Sequence, residues 1–315
     1  MIELERVTKR YSDTDGNVVS DLTLTVNEGE VVVLVGPSGC GKTTTLRMIN
    51  RLVDPTSGCI VVAGAAIDAV PAHELRRTIG YVIQQIGLFP HRTVAENMAT
   101  VPTLLGWGRG RIRRRVDELA DLVAIDRSML DRYPDALSGG QRQRIGVARA
   151  LAADPPVLLM DEPFGAVDPI VRKHLQRELL DLQARLHKTI VMVTHDIDEA
   201  VLVGDRVAML SHGGVLEQYA APAELLAHPA NDFVAGFLGS DRGLKRLSLL
   251  PIDDSCIEDL PTTIESPTGV VEVTGSLKDA LDAIVSGNGM SASVHDNGQP
   301  IGIITIDSVH RPIRP

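Results

Sequence analysis

No apolar run in this 315-residue chain approaches the roughly 20 residues that a helix needs to cross a bilayer. Runs such as Val31 to Val35 and Val157 to Met160 hold five and four residues, so any membrane role has to come through a partner. Cysteine is scarce, and Cys40, Cys59 and Cys256 show no pairing pattern, which excludes a disulfide scaffold and points to a reducing compartment. The opening MIELERVTKRY lacks the apolar core and cleavage site of a signal peptide, so the chain is expected in the cytoplasm. Bases are in deficit: 31 Lys and Arg stand against 41 Asp and Glu, a formal charge of -10. Residues 251–315 hold ten acids and three bases, so the tail carries -7 of that and the first 250 residues -3. Without a general basic face, a nucleic acid partner is not expected.

What is present suits one good-sized core with material left for a small second domain, since 44% of the residues are hydrophobic. The short runs Val31 to Val35, Val157 to Met160 and Ile190 to Val193 are separated by helix-length segments, the pattern of buried parallel strands. The opening third is more antiparallel in pattern. Ile2 to Val7, Leu22 to Val26 and Cys59 to Ala63 alternate, with turns expected at Asp15-Gly16 and Glu28-Gly29. A mixed sheet is expected. From about 93 to 153 helical patterns take over, with Ile112, Val116, Leu119 and Val123 on one face, which reads as a helical subdomain inserted in the α/β core. Leu247 to Pro267 collects prolines and acids without clear periodicity and reads as part of a linker, 240–267. Beyond it, Ser276 to Val285 predicts a helix, and Ser291 to Val294 and Pro300 to Ile306 predict strands joined by a turn at Asn297-Gly298.

Three segments carry chemistry. Gly36-Pro37-Ser38-Gly39-Cys40-Gly41-Lys42-Thr43 fits GxxxxGK[ST] between an apolar strand and a helical run, the context in which backbone N–H groups and a helix start wrap a phosphate. Lys42 then reaches the β/γ oxygens and the Thr43 hydroxyl can ligand Mg²⁺. Asp161 and Glu162 end the strand Val157 to Met160. Beside a phosphate loop they form a hydrolysis pair, Asp161 for Mg²⁺ and Glu162 for the attacking water. Leu137-Ser138-Gly139-Gly140-Gln141 precedes a helix pattern from Arg142 to Leu151, either a second phosphate-facing helix start or an ordinary serine N-cap.

Taken in order, the phosphate loop, Gln84 in VIQQIGLFPH, LSGGQ, Asp161-Glu162 and His195 in VTHD resemble the ATP-binding cassette (ABC) ATPases. The resemblance implies a P-loop NTPase cassette over 1–239, with a mixed α/β core, an antiparallel β subdomain and the helical subdomain. It implies ATP with Mg²⁺, and a head-to-tail dimer in which each ATP lies between Gly36 to Thr44 of one copy and Ser138, Gly139, Gly140, Gln141 and Asp168 of the other. In that reading Glu162, His195 and Lys42 are catalytic, and Thr43, Gln84 and Asp161 serve the metal. Tyr11 stacks on the adenine. Spacing to Leu88, Pro90 and His91 selects Gln84 over Gln85. One departure is Gly165-Ala166-Val167-Asp168 where the family more often has Ser-Ala-Leu-Asp. The arginine run Arg109, Arg111, Arg113, Arg114 and Arg115 reads as a solvated helix face, with only Trp107 beside it to stack on a base.

Within the family, Ile79 to Trp107, DEPFGAVDP and THDIDEAVLVGDRVAML look like the ATPase subunits of glycine betaine, carnitine and choline importers. That likeness implies a membrane permease, an indirect solute-binding protein, and a place on the cytoplasmic face of the membrane held through the permease. An importer for another solute, or a soluble ABC ATPase without a permease, are the alternative readings. Thr274 to Val309 resembles one cystathionine β-synthase (CBS) module, so a small α+β CBS-like module, single or degenerate, is expected over 268–315.

Overall fold

Burial alternates along the first two strands, β1 (Ile2–Lys9) and β2 (Val19–Val26), which keep Ile2, Leu4, Leu22, Leu24 and Val26 inside. One face of each is therefore packed and the other solvated, as antiparallel pairs allow. The next strand, β3 (Val31–Val35), is buried at every position. The computed structural model describes residues 1–12, 16–84, 87–165, 167–258 and 269–311. Asp15, Gln85 and Ala166, and with them the expected turn at Asp15, lie outside the described residues. After α1 (Lys42–Ile49) come β4 (Ser57–Val62) and β5 (Ala65–Ala66), which complete an antiparallel sheet in the order β2-β1-β4-β5.

A short helix α2 (Ala72–Leu75) leads to β6 (Ile79–Val82). Four α-helices follow, α3 (Val94–Met98), α4 (Thr100–Leu104), α5 (Arg109–Leu122) and α6 (Gly139–Leu151), with short 3-10 turns at Arg127–Met129 and Pro134–Ala136 between the last two. No strand falls between β6 and residue 157 among the described residues. Of the expected apolar face on α5, Val116, Leu119 and Val123 are buried and Ile112 is half-buried. The arginine run divides. Arg111 lies over the Trp107 ring at 3.4 Å and Arg115 donates to the Leu151 and Ala152 carbonyls, while Arg109, Arg113 and Arg114 are exposed.

The chain then alternates β7 (Val157–Asp161), α7 (Pro169–Leu186), β8 (Thr189–Thr194), α8 (Ile197–Val203), β9 (Arg206–Ser211) and β10 (Val215–Ala220). These strands build a second sheet, β10-β9-β3-β8-β7-β6, parallel throughout except for the antiparallel edge strand β10. The three apolar runs of the sequence are its adjacent inner strands β3, β8 and β7, which is why none alternates. Register sets where their loops emerge. Val35 pairs with Thr194 and Asp161 with Val193, so the loops after β3, β7 and β8 leave the same edge side by side. Open α/β sheets bind ligands outside that carboxyl edge. Tyr219 of β10 donates to the Thr25 carbonyl at 2.7 Å, tying the two sheets together.

Helices α9 (Pro222–Ala227) and α10 (Asp232–Leu238) come next, and the chain divides into two units, Met1–Leu225 with Ala230–Phe237, and Leu226–Pro229 with Leu238–Pro315. In the second unit, residues that read as linker are structured. Helix α11 (Arg242–Leu249) brings Leu247 into a core with Ile252 and Cys256, and Glu258 bridges to Ile303. Residues 259–268 lie outside the described residues. The unit continues with β11 (Gly269–Glu272), α12 (Leu277–Ser286), β12 (Ser291–Asp296), β13 (Gln299–Thr305) and α13 (Ile306–His310). The sheet runs β11-β12-β13, parallel then antiparallel. Asn297 (φ 50) and Gly298 (φ 78) both take the left-handed conformation that a two-residue hairpin requires.

Candidate functional site

Beyond β3 the chain wraps tightly between two strand backbones, which dictates its glycines. A Cβ on Gly36 (φ 154) would lie 2.1 Å from the Leu210 carbonyl oxygen, and one on Gly41 (φ 97) 2.3 Å from that of Val18. Only glycine fits either place. Inside the loop Lys42 is 6% exposed, and its Nζ donates to the carbonyls of Gly36 at 2.7 Å and Pro37 at 2.9 Å. The ammonium is thereby pinned across the loop. Burial pushes the Cys40 thiol up against the opposing pull of Lys42, so Cys40 is a neutral packing group here. The N-terminus of α1 opens directly onto the loop and has no acid in its first turn, leaving its positive end free for an anion.

Asp161 ends β7 almost fully buried, and the Thr43 hydroxyl donates to its Oδ1 at 2.8 Å. Burial raises the Asp161 carboxyl, opposed by that hydrogen bond and by Arg47. Beside it, Tyr81 of β6 is pushed up to about 12, first by burial and then by the Asp161 charge. A hydroxyl and a carboxylate oxygen together are hard ligands of the kind Mg²⁺ takes. Among the described residues no three His, Cys, Asp or Glu side chains cluster into a metal site, so a cation held by Thr43 and Asp161 would need its other ligands from outside the chain.

Glu162 follows in a left-handed conformation (φ 45), a strain of about 1–3 kcal/mol for a residue with a Cβ. Two backbone hydrogen bonds, one to a strand and one from a turn, hold it there. Its N–H donates to the Val193 carbonyl of β8 at 2.9 Å, and Gly165 N–H returns to its own carbonyl. The side chain is aimed between two others: Gln84 Nε2 donates to Oε2 at 2.9 Å, and His195 Nδ1 lies 3.3 Å from Oε1. A cavity of about 290 Å³ is lined by Ser38 to Thr44, by Glu162 and by Val18. The loop after β3 and the Glu162 carboxylate thus share one space. Val18, just before β2, carries no signal in the sequence, where nothing distinguishes it from Val19 beside it.

Ser138 closes the start of α6 in a reciprocal capping box: Gln141 N–H donates to Ser138 Oγ at 3.3 Å and Ser138 N–H to Gln141 Oε1 at 2.9 Å. Asp168 caps α7, accepting from the N–H groups of Ile170 and Val171. Neither Ser138 to Gln141 nor Asp168 lines the cavity. Tyr11, beyond β1, is 58% exposed with Lys9 Nζ 5.0 Å above its ring, and does not line it either. Gln85 lies outside the described residues.

A family model described as "ABC transporter" matches residues 19–165. The osmoprotectant import ATP-binding protein OsmV of Salmonella typhimurium is 51% identical over 309 residues, 96% of this chain and 79% of that protein. The glycine betaine uptake system ATP-binding protein YehX of Escherichia coli is 48% identical over 306 residues, 96% of this chain and 97% of that protein. Among solved structures, the dimeric post-hydrolysis state of the ATP-binding cassette MJ0796 bound to ADP and Pi is 33% identical. It covers 70% of this chain and 99% of its own, with a TM-score of 0.63.

Proposed function

This chain belongs to the ABC transporter ATPase family, and from that premise we propose that it is the ATP-hydrolysing subunit of an importer for quaternary-amine osmoprotectants such as glycine betaine. The observation that carries the hydrolytic part is Glu162, held between Gln84 and His195 in the cavity that Lys42 and Thr43 also line.

Each residue then has a task. The loop Gly36 to Thr44 presents N–H groups to the phosphates, with Lys42 neutralising the β/γ oxygens. Thr43, Asp161 and Gln84 would hold Mg²⁺, which would supply charge neutralisation on the transferring phosphoryl group. Glu162 orients the attacking water and accepts its proton, and His195 contacts the γ-phosphate while holding the carboxylate in place. Tyr11 stacks on the adenine from its exposed position. Ser138 to Gln141 and Asp168 serve the nucleotide of a second copy, a reading supported by their place outside the cavity of their own chain and by the dimeric state of the MJ0796 cassette.

No helix of the described residues is long and apolar enough to cross a membrane, so coupling to transport requires a permease, reached from the cytoplasmic face, with a solute-binding protein beyond it. A groove of about 490 Å³, bordered by Arg76, Tyr81, Ile83, Gly87, Phe89 and Arg149, suits that contact. Asn50 Oδ1 is buried at this groove without a hydrogen bond. The groove borders the segment carrying Gln84, so a permease element pressing there moves a residue bonded to Glu162. The second unit, with its strand, helix, hairpin order, is read as a single CBS-like module.

The test is reconstitution with a permease and binding protein of an osmoprotectant importer from the same organism, in vesicles holding ATP, with uptake of labelled glycine betaine, carnitine and choline measured. ATP-dependent uptake of at least one is expected. Hydrolysis without uptake of any of the three would overturn the substrate class while leaving the ATPase standing.

A further inference from the structure

One polar network in the first unit has no part in the chemistry just described. Thr194, the last residue of β8 and the neighbour of His195, is 1% exposed and donates from Oγ1 to Glu199 Oε2 at 2.6 Å. Glu199, in the first turn of α8, is 5% exposed. Its other oxygen, Oε1, lies 3.7 Å from Nε of Arg172 on α7, and Arg172 Nη1 lies 3.7 Å from Asp196. Arg172 Nη2 donates to the Val167 carbonyl, one residue before Asp168, at 3.4 Å. Arg172 Nε is buried and bonds to nothing.

A buried carboxylate is costly to keep charged, and burial does raise Glu199, against the pull of Thr194 and Arg172. A network built for stability alone would bring Arg172 Nε within about 2.8 Å and satisfy it. Instead the guanidinium stands nearly an ångström short of two carboxylates, Glu199 and Asp196, and holds the Val167 carbonyl by a long bond, so it spans two segments. Those segments are the ones that matter to the site. The first runs from Thr194 through His195, whose ring touches Glu162, and the second runs from Val167 to Asp168 at the start of α7.

We propose that Glu199 and Arg172 are paired positioning residues, which hold the His195 turn in register with Glu162 and tighten when the Asp168 loop is engaged by a second copy of this chain. This rests on the reading of Glu162 as the hydrolytic carboxylate. Neither residue touches the cavity; both act through His195 and Glu162. Glu199 fixes the turn by holding the Thr194 hydroxyl, and Arg172 reports the state of the neighbouring loop by spanning Val167 and Glu199. A shift of α7 toward α8 closes the open gap.

The experiment measures steady-state ATP hydrolysis, ATP affinity and melting temperature for the full chain and for Glu199→Gln, Arg172→Met, their double variant and Glu162→Gln. Glu199→Gln and Arg172→Met are each expected to lower kcat by about 10–100-fold, the size of effect that a small misplacement produces. KM for ATP stays within about twofold, since neither residue lines the cavity and the loop Gly36 to Thr44 that binds the nucleotide is left as it is. The double variant is expected within about threefold of the slower single, because the two act as one unit. A merely structural pair would lower melting temperature and leave kcat per folded molecule at the parent value. That result, or losses that multiply in the double variant, would overturn the proposal. If Glu199→Gln does not fold, the half-exposed Arg172 carries the comparison alone. Glu162→Gln separates the two readings: if it is inactive while both singles keep parent kcat, only the clamp falls, and if it hydrolyses at the parent rate, the site itself is misassigned.

Discussion

Replacing Glu162 by Gln isolates one charge. The side chain makes its contacts through Oε1 and Oε2, to His195 and Gln84, and its backbone is fixed by the Val193 carbonyl, none of which the substitution alters in shape. An amide of the same length keeps the space filled, but it no longer takes a proton from water. Removal of a general base costs about 10²–10⁴-fold, or 3–5 kcal/mol of barrier, and that is the expected fall in kcat. Binding runs the other way. The carboxylate lines the same cavity as the phosphate loop, so its removal relieves repulsion with the γ-phosphate and leaves ATP affinity equal or higher. The backbone strain at φ 45 is common to both forms and cancels, so the melting temperature stays close to the parent's. The assay pairs phosphate release at saturating ATP with sedimentation in the presence of ATP, where the variant accumulates as a dimer that does not reopen. Parent-rate hydrolysis would refute the role of Glu162. So would a loss of rate accompanied by an equal loss of ATP binding, which would mean that the carboxylate only shapes the site.

The phosphate loop supplies a contrast in stability. Gly41→Ala places a Cβ 2.3 Å from the Val18 carbonyl at φ 97, and strain plus overpacking cost about 2–6 kcal/mol. Gly39→Ala, at φ 80 with nothing within 4 Å, meets strain alone, about 1–2 kcal/mol, and differential scanning fluorimetry should rank them in that order. Asp161→Asn should raise the melting temperature at neutral pH while abolishing Mg²⁺-dependent hydrolysis. The fold holds the Asp161 carboxyl above its ordinary value, so its charged form carries a penalty at neutral pH that is relieved as pH falls through the folded pKa. The advantage of the variant therefore shrinks toward acid, which a melting series from pH 8 down to about 4.5 checks. Gln141→Glu keeps the capping box, because a carboxylate accepts the Ser138 N–H as well as the amide does. Stability is expected to hold or to rise by about 0.3–1 kcal/mol, while ATP-driven dimerisation, followed by light scattering, is lost to the added charge.

Where chemistry is written in consecutive residues, the sequence alone makes it legible: the phosphate loop between β3 and α1, the carboxylates ending β7, the capped start of α6 and the Asn297-Gly298 hairpin all depend on local spacing. What the sequence hides depends on which strands become neighbours. The bond from Glu162 N–H to Val193, the approach of His195, and the pressure of Val18 and Leu210 on the loop glycines arise because β3, β8 and β7 are adjacent and β9 and β2 flank the loop. Neither Arg47 nor Tyr81 carries a motif, yet Arg47 lowers the proton affinity of Asp161 and the Asp161 charge raises that of Tyr81. In the second unit, prolines and acids mask the apolar positions Leu247, Ile252 and Cys256, which follow no single period because α11, a bend and an isolated bridge share them. Strand β11 escapes for the opposite reason. With four residues and one buried position it offers almost no alternation to detect.

The capped start of α6 shows why an ordinary structural reading and a functional one can both hold for the same residues. Ser138 and Gln141 satisfy one another's backbone donors, which is sufficient reason for a serine and a glutamine at those positions in any helix. Yet glutamate at the third helical position would cap as well and would favour the helix dipole, and the chain uses glutamate or aspartate there in α3 and α12. On α6 it places an uncharged amide, preceded by two glycines, so the first turn carries no acid and little side-chain bulk. Gly140 is further limited by Val171 of α7, since a Cβ would lie 3.0 Å from its Cγ1. Negative charge at this helix start would favour the helix dipole, and the chain does without it. Its absence leaves room for an approaching phosphate, and since these residues do not line the cavity of their own chain, a phosphate held by another copy is the one we propose they meet.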